Sequence, residues 1–425
     1  MKMSKMMALG LCGVVMVSAA GITRADSGTS GTTDNQELLQ KIKQLEQRVS
    51  DLEGKSTQQV TVANSTFPQK TLDFLGQTEI SGFVSASYIY NFSKGNVGGM
   101  NSTIPGRGFD GNNNSFTLNK FKLALERPIS ANPTNWAAGY RADLIFGQDA
   151  GLIQSLNAGG PGTFNLGNDG DLEQAFLDFN VPIGNGLLVK LGKMVTLMGV
   201  EVIEEVSNPN WSEGNQFLYL ENFTQTGLML TYNWNDKVDT EFAAFNGWDE
   251  LPDNNSSKSF MGRVGLTLSD KTSAGILGYG GPEQTGNNSN WRTGGEIVLN
   301  QKITDKFNSW VQLDYGHEEN VPGAGKNAEW YGSGLWLTYD FTSKIGAAVR
   351  ADYVKDKDGV RANPTYIGFT VAPKELTSLT ATLNLKPLDN FQVRPEIRWD
   401  HSAAATALNG HDDQFTAGVG VAYLY

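Results

Sequence analysis

The chain has one cysteine, three histidines and few charges among its 425 residues. A single thiol excludes a disulfide framework and any cysteine-based zinc site. His317, His401 and His411 leave little material for a histidine-rich metal centre, and no cofactor is expected. Charged residues make up 18% of the chain, and 33 basic residues are outnumbered by 45 acidic ones. Nucleic acid is therefore excluded as a partner, because phosphate binding needs concentrated positive charge. Long apolar runs are scarce too. Beyond the amino-terminal segment no stretch approaches the roughly 18 apolar residues that a transmembrane helix needs. A closed barrel remains open, since it crosses a bilayer with strands and gives little hydropathy signal. Glycine and aromatics are plentiful: 49 Gly, 21 Phe, 13 Tyr and 9 Trp. Low charge with this much large apolar surface excludes intrinsic disorder.

Residues 1–25 read as a secretory signal, with Lys2 and Lys5 ahead of an uncharged stretch from Met6 to Ala20. Cleavage is expected after Ala25, with Ala20 as the alternative. Cys12 lies inside that stretch behind Leu11, a residue too large for a lipoprotein site. Loss of Lys2, Lys5 and Arg24 moves the net charge from -12 to about -15. A mature chain without cysteine suits an oxidising compartment. In 26–55, Leu38, Ile42, Leu45, Val49 and Leu52 follow the 4-3-4-3 spacing of a coiled-coil seam. Asp34 and Glu37 form a capping box, and Gly54 stands at a helix stop. So short a helix is marginal alone, which predicts partner copies. Residues 56–75 read as a linker.

From residue 76 to 425 the pattern has period two. Ile80, Val84, Ala86, Tyr88 and Tyr90 share one parity, and Glu79, Ser81, Ser85, Ser87 and Asn91 the other. Repetition of this unit gives sixteen strands, with eighteen as the alternative. Short polar links, at 128–134, 183–186, 235–237, 269–271, 304–306, 342–344 and 387–390, alternate with long ones. The long ones lie near 93–114, 148–170, 194–223, 247–257, 281–290, 316–329, 355–374 and 401–413. A soluble sandwich has no reason to lengthen every second loop, whereas an outer-membrane barrel does. The predicted fold is all-β: a transmembrane antiparallel β-barrel with a short N-terminal coiled-coil helix in the periplasm. The apolar parity then faces outer-membrane lipids. The terminal aromatic Tyr425 resembles the signal read by the barrel assembly machinery.

Charges on the polar parity are expected along the pore wall. The bases are Lys120, Lys122, Arg141, Lys190, Arg263, Arg292, Arg350, Arg394 and Arg398. The acids include Asp143, Glu296, Asp314, Asp352 and Glu396, together with Glu126, Asp178 and Asp400. The 194–223 loop carries Val195, Leu197, Met198, Val200, Val202 and Ile203 beside Glu201, Glu204, Glu205 and Glu213. Apolar residues at that density predict a loop folded inward, with Asn208 and Asn210 at the constriction and its carboxylates opposite the basic wall. Trp310 and Trp336, on the same parity, leave open a substrate-selective channel such as one for sugars. An enzymatic reading of Asp400, His401 and Ser402 fails on geometry, because neighbouring strand residues point to opposite faces.

Several segments in order across the barrel carry a family resemblance. They are Gly199 to Val202 with Asn208 to Asn210, Asn246 to Asp249 followed by Asp253 to Asn255, Gly281 to Glu283, Arg350 to Arg361, and Arg394 to Ser402. On these the chain resembles the OmpL-like β-barrel porins of Gram-negative bacteria. The resemblance implies a pore for passive diffusion of ions and small hydrophilic solutes, and no enzyme. It also implies a homotrimer held through the barrel wall. The coiled coil lies outside the resemblance; its seam leans towards two strands, and in a trimer it would form a periplasmic three-helix clamp.

Overall fold

The computed structural model describes residues 69–93, 103–153, 170–322, 324–362, 373–404, 407–408 and 410–425. The signal, the coiled-coil seam and most of the linker lie outside the described residues. The chain divides into two compact units, Met1–Gly76 and Gln77–Tyr425. In the first, α1 (Gln69–Gly76) is helical where the sequence reads as linker. Nothing in that octapeptide breaks a helix before its terminal glycine.

The second unit is a closed sixteen-stranded antiparallel barrel in strict sequence order. Its first half is β1 (Glu79–Asn91), β2 (Ser115–Arg127), β3 (Ala137–Phe146), β4 (Gly170–Val181), β5 (Leu187–Val195), β6 (Thr224–Asn235), β7 (Val238–Phe245) and β8 (Ser259–Ser269). The second half is β9 (Thr272–Pro282), β10 (Trp291–Lys302), β11 (Phe307–Val321), β12 (Lys326–Asp340), β13 (Ile345–Asp356), β14 (Glu375–Leu388), β15 (Phe391–Ser402) and β16 (Asp413–Leu424). Closure joins β1 to β16 from Phe83↔Leu424 to Asn91↔Thr416, and Gly82 and Tyr425 exchange backbone bonds of 3.0 Å beyond it. No unpaired edge is left to aggregate. A twelve-residue strand such as β4, rising ~3.4 Å per residue at a tilt near 40°, is about 30 Å tall, enough for the apolar band of an outer membrane.

Inward and outward residues alternate as the parity predicts. In β1, Ser85, Ser87 and Asn91 are buried inside while Ile80 and Val84 are exposed outside. Short turns close on their own side chains: Thr304 Oγ1 accepts from the Phe307 N–H and Thr342 Oγ1 from the Ile345 N–H. The connection expected over 316–329 is mostly strand, since β11 and β12 run on to Val321 and Lys326. Alternation continues through that stretch, with His317 opposite Glu329, so the hairpin projects beyond its neighbours.

Two bulges flank β3. Ser85 pairs with Lys120 and Ala86 with Leu118, which leaves Asn119 unpaired. Asp143 pairs with Gln174 and Leu144 with Leu172, which leaves Glu173 unpaired. Each bulge sends two consecutive polar residues inward, Asn119 with Lys120 and Glu173 with Gln174, all of them buried.

Two further helices lie in long connections. They are α2 (Ala150–Ile153) and α3 (Asn215–Leu220), and the second follows a 3-10 turn at Glu205–Ser207.

Candidate pore-lining site

The 196–223 segment, between β5 and β6, fills part of the barrel interior. Its entry is apolar: Leu197 and Met198 pack with Phe176, Met229, Phe245, Trp248 and Met261. Phe176, Met229, Phe245 and Met261 face inward from β4, β6, β7 and β8, and Trp248 comes from the connection after β7. Ile203 and Phe217 join Phe109, Ile145 and Ile153 in a second cluster. Trp211 joins Phe83, Val206 and Ala422 in a third. Each such side chain, once removed from water, contributes roughly 1.5–3 kcal/mol. Val202 alone among the six apolar residues stays exposed, at 40%. Trp211 lies directly over Gly420, where a Cβ would meet its ring at 2.0 Å.

Polar contacts then fix the segment to strands on opposite sides. Lys120 on β2 reaches Glu205 at 2.9 Å, Asp149 at 3.4 Å and the Ile203 carbonyl at 2.8 Å. Lys122 bonds Glu204 and lies 2.9 Å from Asp143 and 3.0 Å from Glu173. Arg350 on β13 holds Glu201 at 2.6 Å, the Ser212 carbonyl at 2.5 Å and Asp352 at 3.1 Å. Arg394 on β15 donates to the carbonyls of Glu205, Asn208 and Pro209 at 2.6, 2.8 and 2.8 Å. Arg398 donates to the Glu213 carbonyl at 2.7 Å and to Asn215 at 3.0 Å. Glu396 accepts from the Trp211 and Ser212 N–H groups, and Asn210 donates to Thr382 at 2.7 Å. On β10 and β11, Glu296 accepts from the Gly199 N–H at 2.8 Å, and Asp314 accepts from Gln216 at 2.5 Å. Asn208 closes a local clasp, exchanging 2.8 Å bonds with Val202.

Acidic loop and basic wall thus meet in direct, buried contact rather than across a gap. Five expected wall bases, Lys120, Lys122, Arg350, Arg394 and Arg398, are anchors for the loop. Four others are not brought to it. Arg141 pairs with Glu126 and Asp143 at 3.1 and 2.9 Å, and Arg263 with Asp239 and Glu241 at 3.0 and 2.9 Å. Lys190 sits 4.6 Å over the Phe176 ring. Arg292 binds Glu318 at 2.7 Å and stacks on Trp248 at 4.9 Å. Arg141, Lys190 and Arg263 remain half-exposed on β3, β5 and β8, where the loop offers them no ion pair.

Within the loop, burial would raise the Glu204 carboxyl, but the Lys122 ammonium outweighs it and holds the group well below the ordinary range. Burial, reinforced by Asp149 and Glu205, holds Glu213 well above that range.

Several participants escaped the sequence reading. Glu173 is displaced by its bulge from the parity that would have marked it. Arg107 lies in the 93–114 connection, yet is buried and tied to Asp110 and Asp400 at 2.5 and 3.1 Å. Arg361 stacks on Trp248 and Trp330, 5.1 and 5.6 Å from their ring centres. An unusually apolar or aromatic loop neighbour, such as Phe109 beside Arg107, was the available signal.

Trp336 is buried beneath the loop and donates to Glu201 at 3.1 Å, so it offers no open stacking face. Asp400 and Ser402 point inward, whereas His401 stacks outside on Trp399 and contacts Asp413. The three never converge into a catalytic set. Asp356 accepts from the N–H groups of Gly359, Arg361 and Ala362, as an ordinary turn does.

Similarity to known proteins agrees with this architecture. Solved structures with the same fold include the outer membrane channel DcaP of Acinetobacter baumannii, at 11% identity and TM-score 0.53, covering 82% of this chain and 97% of that one. The trimer form of OmpT from Vibrio cholerae matches at 10% identity and TM-score 0.54, covering 82% and 99%. An anion-selective porin from Comamonas acidovorans matches at 10% identity and TM-score 0.54, with the same coverage of 82% and 99%. No match to a curated protein sequence was found. The profile of one family, described as "Putative beta-barrel porin-2, OmpL-like", matches residues 77–425. That span is the entire barrel, and the chain belongs to this OmpL-like porin family of outer-membrane β-barrels.

Proposed function

We propose that the protein is a passive diffusion porin whose passage is narrowed by the 196–223 segment. The observation that carries this reading is the set of buried bonds from Lys120, Arg350, Arg394 and Arg398 to that segment. They hold a loop in the lumen that would otherwise extend into water. Solutes pass beside it, along the β2–β8 wall, where Glu126, Arg141, Asp178, Lys190, Asp239, Glu241 and Arg263 keep partial exposure. Four acids against three bases there favour cations weakly. Lys120, Lys122, Arg350, Arg394 and Arg398 position the loop, together with Asp143, Glu296, Asp314, Asp352 and Glu396. Liposomes carrying the purified protein should swell at rates linear in the solute gradient and steeply dependent on solute size. Saturation at low millimolar sugar would instead indicate a selective channel. In a salt gradient the reversal potential should show mild cation preference, increased by Arg263→Gln.

The long loops then face outward, and both termini and the coiled-coil segment lie in the periplasm. A homotrimer follows the trimer form of OmpT, and Tyr425 serves the assembly machinery. Crosslinking of the detergent-extracted protein tests the trimer.

A further inference from the structure

Two carboxylate trios lie inside the barrel, and they are neutralised differently. Asp143, Glu173 and Glu204 each bring an oxygen within 4.8 Å of the others. The Lys122 ammonium sits among them. Glu221, Glu296 and Asp314 gather as closely. All three are buried, and no Lys or Arg among the described residues pairs with them.

Hydrogen bonds do not fill that gap. Gln312 Nε2 lies 2.7 Å from Glu221, 3.2 Å from Glu296 and 2.9 Å from Asp314, so two amide hydrogens face three carboxylates. Glu221 Oε2 and Asp314 Oδ1 have no partner at all. Outside the trio, Gln216 on α3 is wholly buried and reaches in to Asp314 at 2.5 Å, and its own Oε1 is unpartnered. A half-turn of that amide presents the oxygen to the trio. Buried carboxylates without compensating charge are strongly unfavourable.

We propose that Glu221, Glu296, Asp314 and Gln216 bind a hard divalent cation of the calcium class. The donors are all oxygen, which disfavours metals that seek nitrogen or sulfur. Calcium–oxygen bonds of about 2.3–2.6 Å place opposite ligands roughly 4.6–5.2 Å apart, so oxygens that all lie within 4.8 Å of one another are close enough to share one ion. Glu221 and Gln216 come from the end of the 196–223 segment, and Glu296 and Asp314 from β10 and β11. Glu296 also accepts from Gly199 at the segment's start. The ion therefore fastens both limbs of the loop to one stretch of wall.

The test uses the full mature chain refolded in neutral detergent, free of lipopolysaccharide, stripped with EDTA and titrated with terbium. Trp336 shares the space over Gly334 with Gln216, since a Cβ there would meet both, so its excitation should sensitise a bound terbium ion. Saturable luminescence at one ion per chain, displaced by calcium, is expected. Its affinity should fall roughly tenfold or more in Glu296→Gln and Glu221→Gln, but not in Asp305→Asn, an exposed carboxylate in the β10–β11 turn. Calcium should also raise the thermal unfolding midpoint relative to EDTA. Luminescence that never saturates, with no shift of the midpoint in the wild type, would overturn the proposal, whether or not the variants fold. So would binding unchanged in both. None of these readouts involves conductance, so failure here and failure of the porin reading are separable.

Discussion

Arg350 is wholly buried, and so are its carboxylate partners Glu201 and Asp352. Removing one partner from such a pair strands a charge, at a cost of about 3–5 kcal/mol, while replacing both with apolar groups is often neutral. Arg350→Ala should therefore lower stability towards denaturant by about that amount. Arg350→Met with Glu201→Met and Asp352→Leu, which leaves no partner stranded, should recover most of it. Equal losses in both variants would mean that the pair itself is not what holds the loop. Glu213 gives a pH dependence. Burial first, then Asp149 and Glu205 with a smaller push from Asp110, raise its carboxyl against the pull of Lys120. A raised folded value means that the contribution of Glu213 is fully present below the ordinary carboxylate range and lost as pH rises through the raised value. Glu204, held low by Lys122, works in the opposite sense and loses its contribution only as pH falls. Open-channel current noise should grow as pH rises above the ordinary carboxylate range, and Glu213→Gln should flatten that rise. Alternation revealed which charges face inward, because facing depends only on position along a strand. It carried nothing about partners, which depend on where a loop crosses the lumen. At Asn119 and Glu173 the bulges broke the parity itself.

Strands were the most legible elements. All sixteen fall where apolar and polar residues alternate, since a strand with one face in lipid and one in water must alternate. Ile297, in the middle of β10, is 48% exposed on the outer face between Ile276 and Leu313. Ile297→Arg should lower barrel stability by about 2–4 kcal/mol in liposomes, and the inward neighbour Val298→Arg by much less. Comparable losses at both would contradict the assignment of faces. Connections were less legible. The 316–329 stretch reads as a loop for its Glu, Asn, Pro and Gly content, yet ladder hydrogen bonds from β11 to β12 override those preferences. The 196–223 segment was legible as inward-folding because its apolar residues had to leave water. Its direct ion pairs were not, because sequence gives no distance between loop and wall.

In the whole molecule, closure of the sheet removes every edge, and the loops then decide how much of the lumen stays open. The half of the wall from β10 round to β2 is tied to the 196–223 segment by ion pairs and backbone bonds. Among the described residues the opposite half meets it mainly through apolar contacts, Leu197 and Met198 on β4 to β9 and Ile203 and Phe217 on Ile145 of β3. The proposed passage runs beside the segment along that less polar contact. The central claim is that this segment narrows a conducting pore. Single-channel conductance in planar bilayers, compared between the full-length barrel and a variant lacking residues 200–213, tests it most directly. A clear rise in conductance on deletion, with an equally well-folded barrel, is the predicted result. Conductance unchanged or reduced in that folded variant would contradict the account.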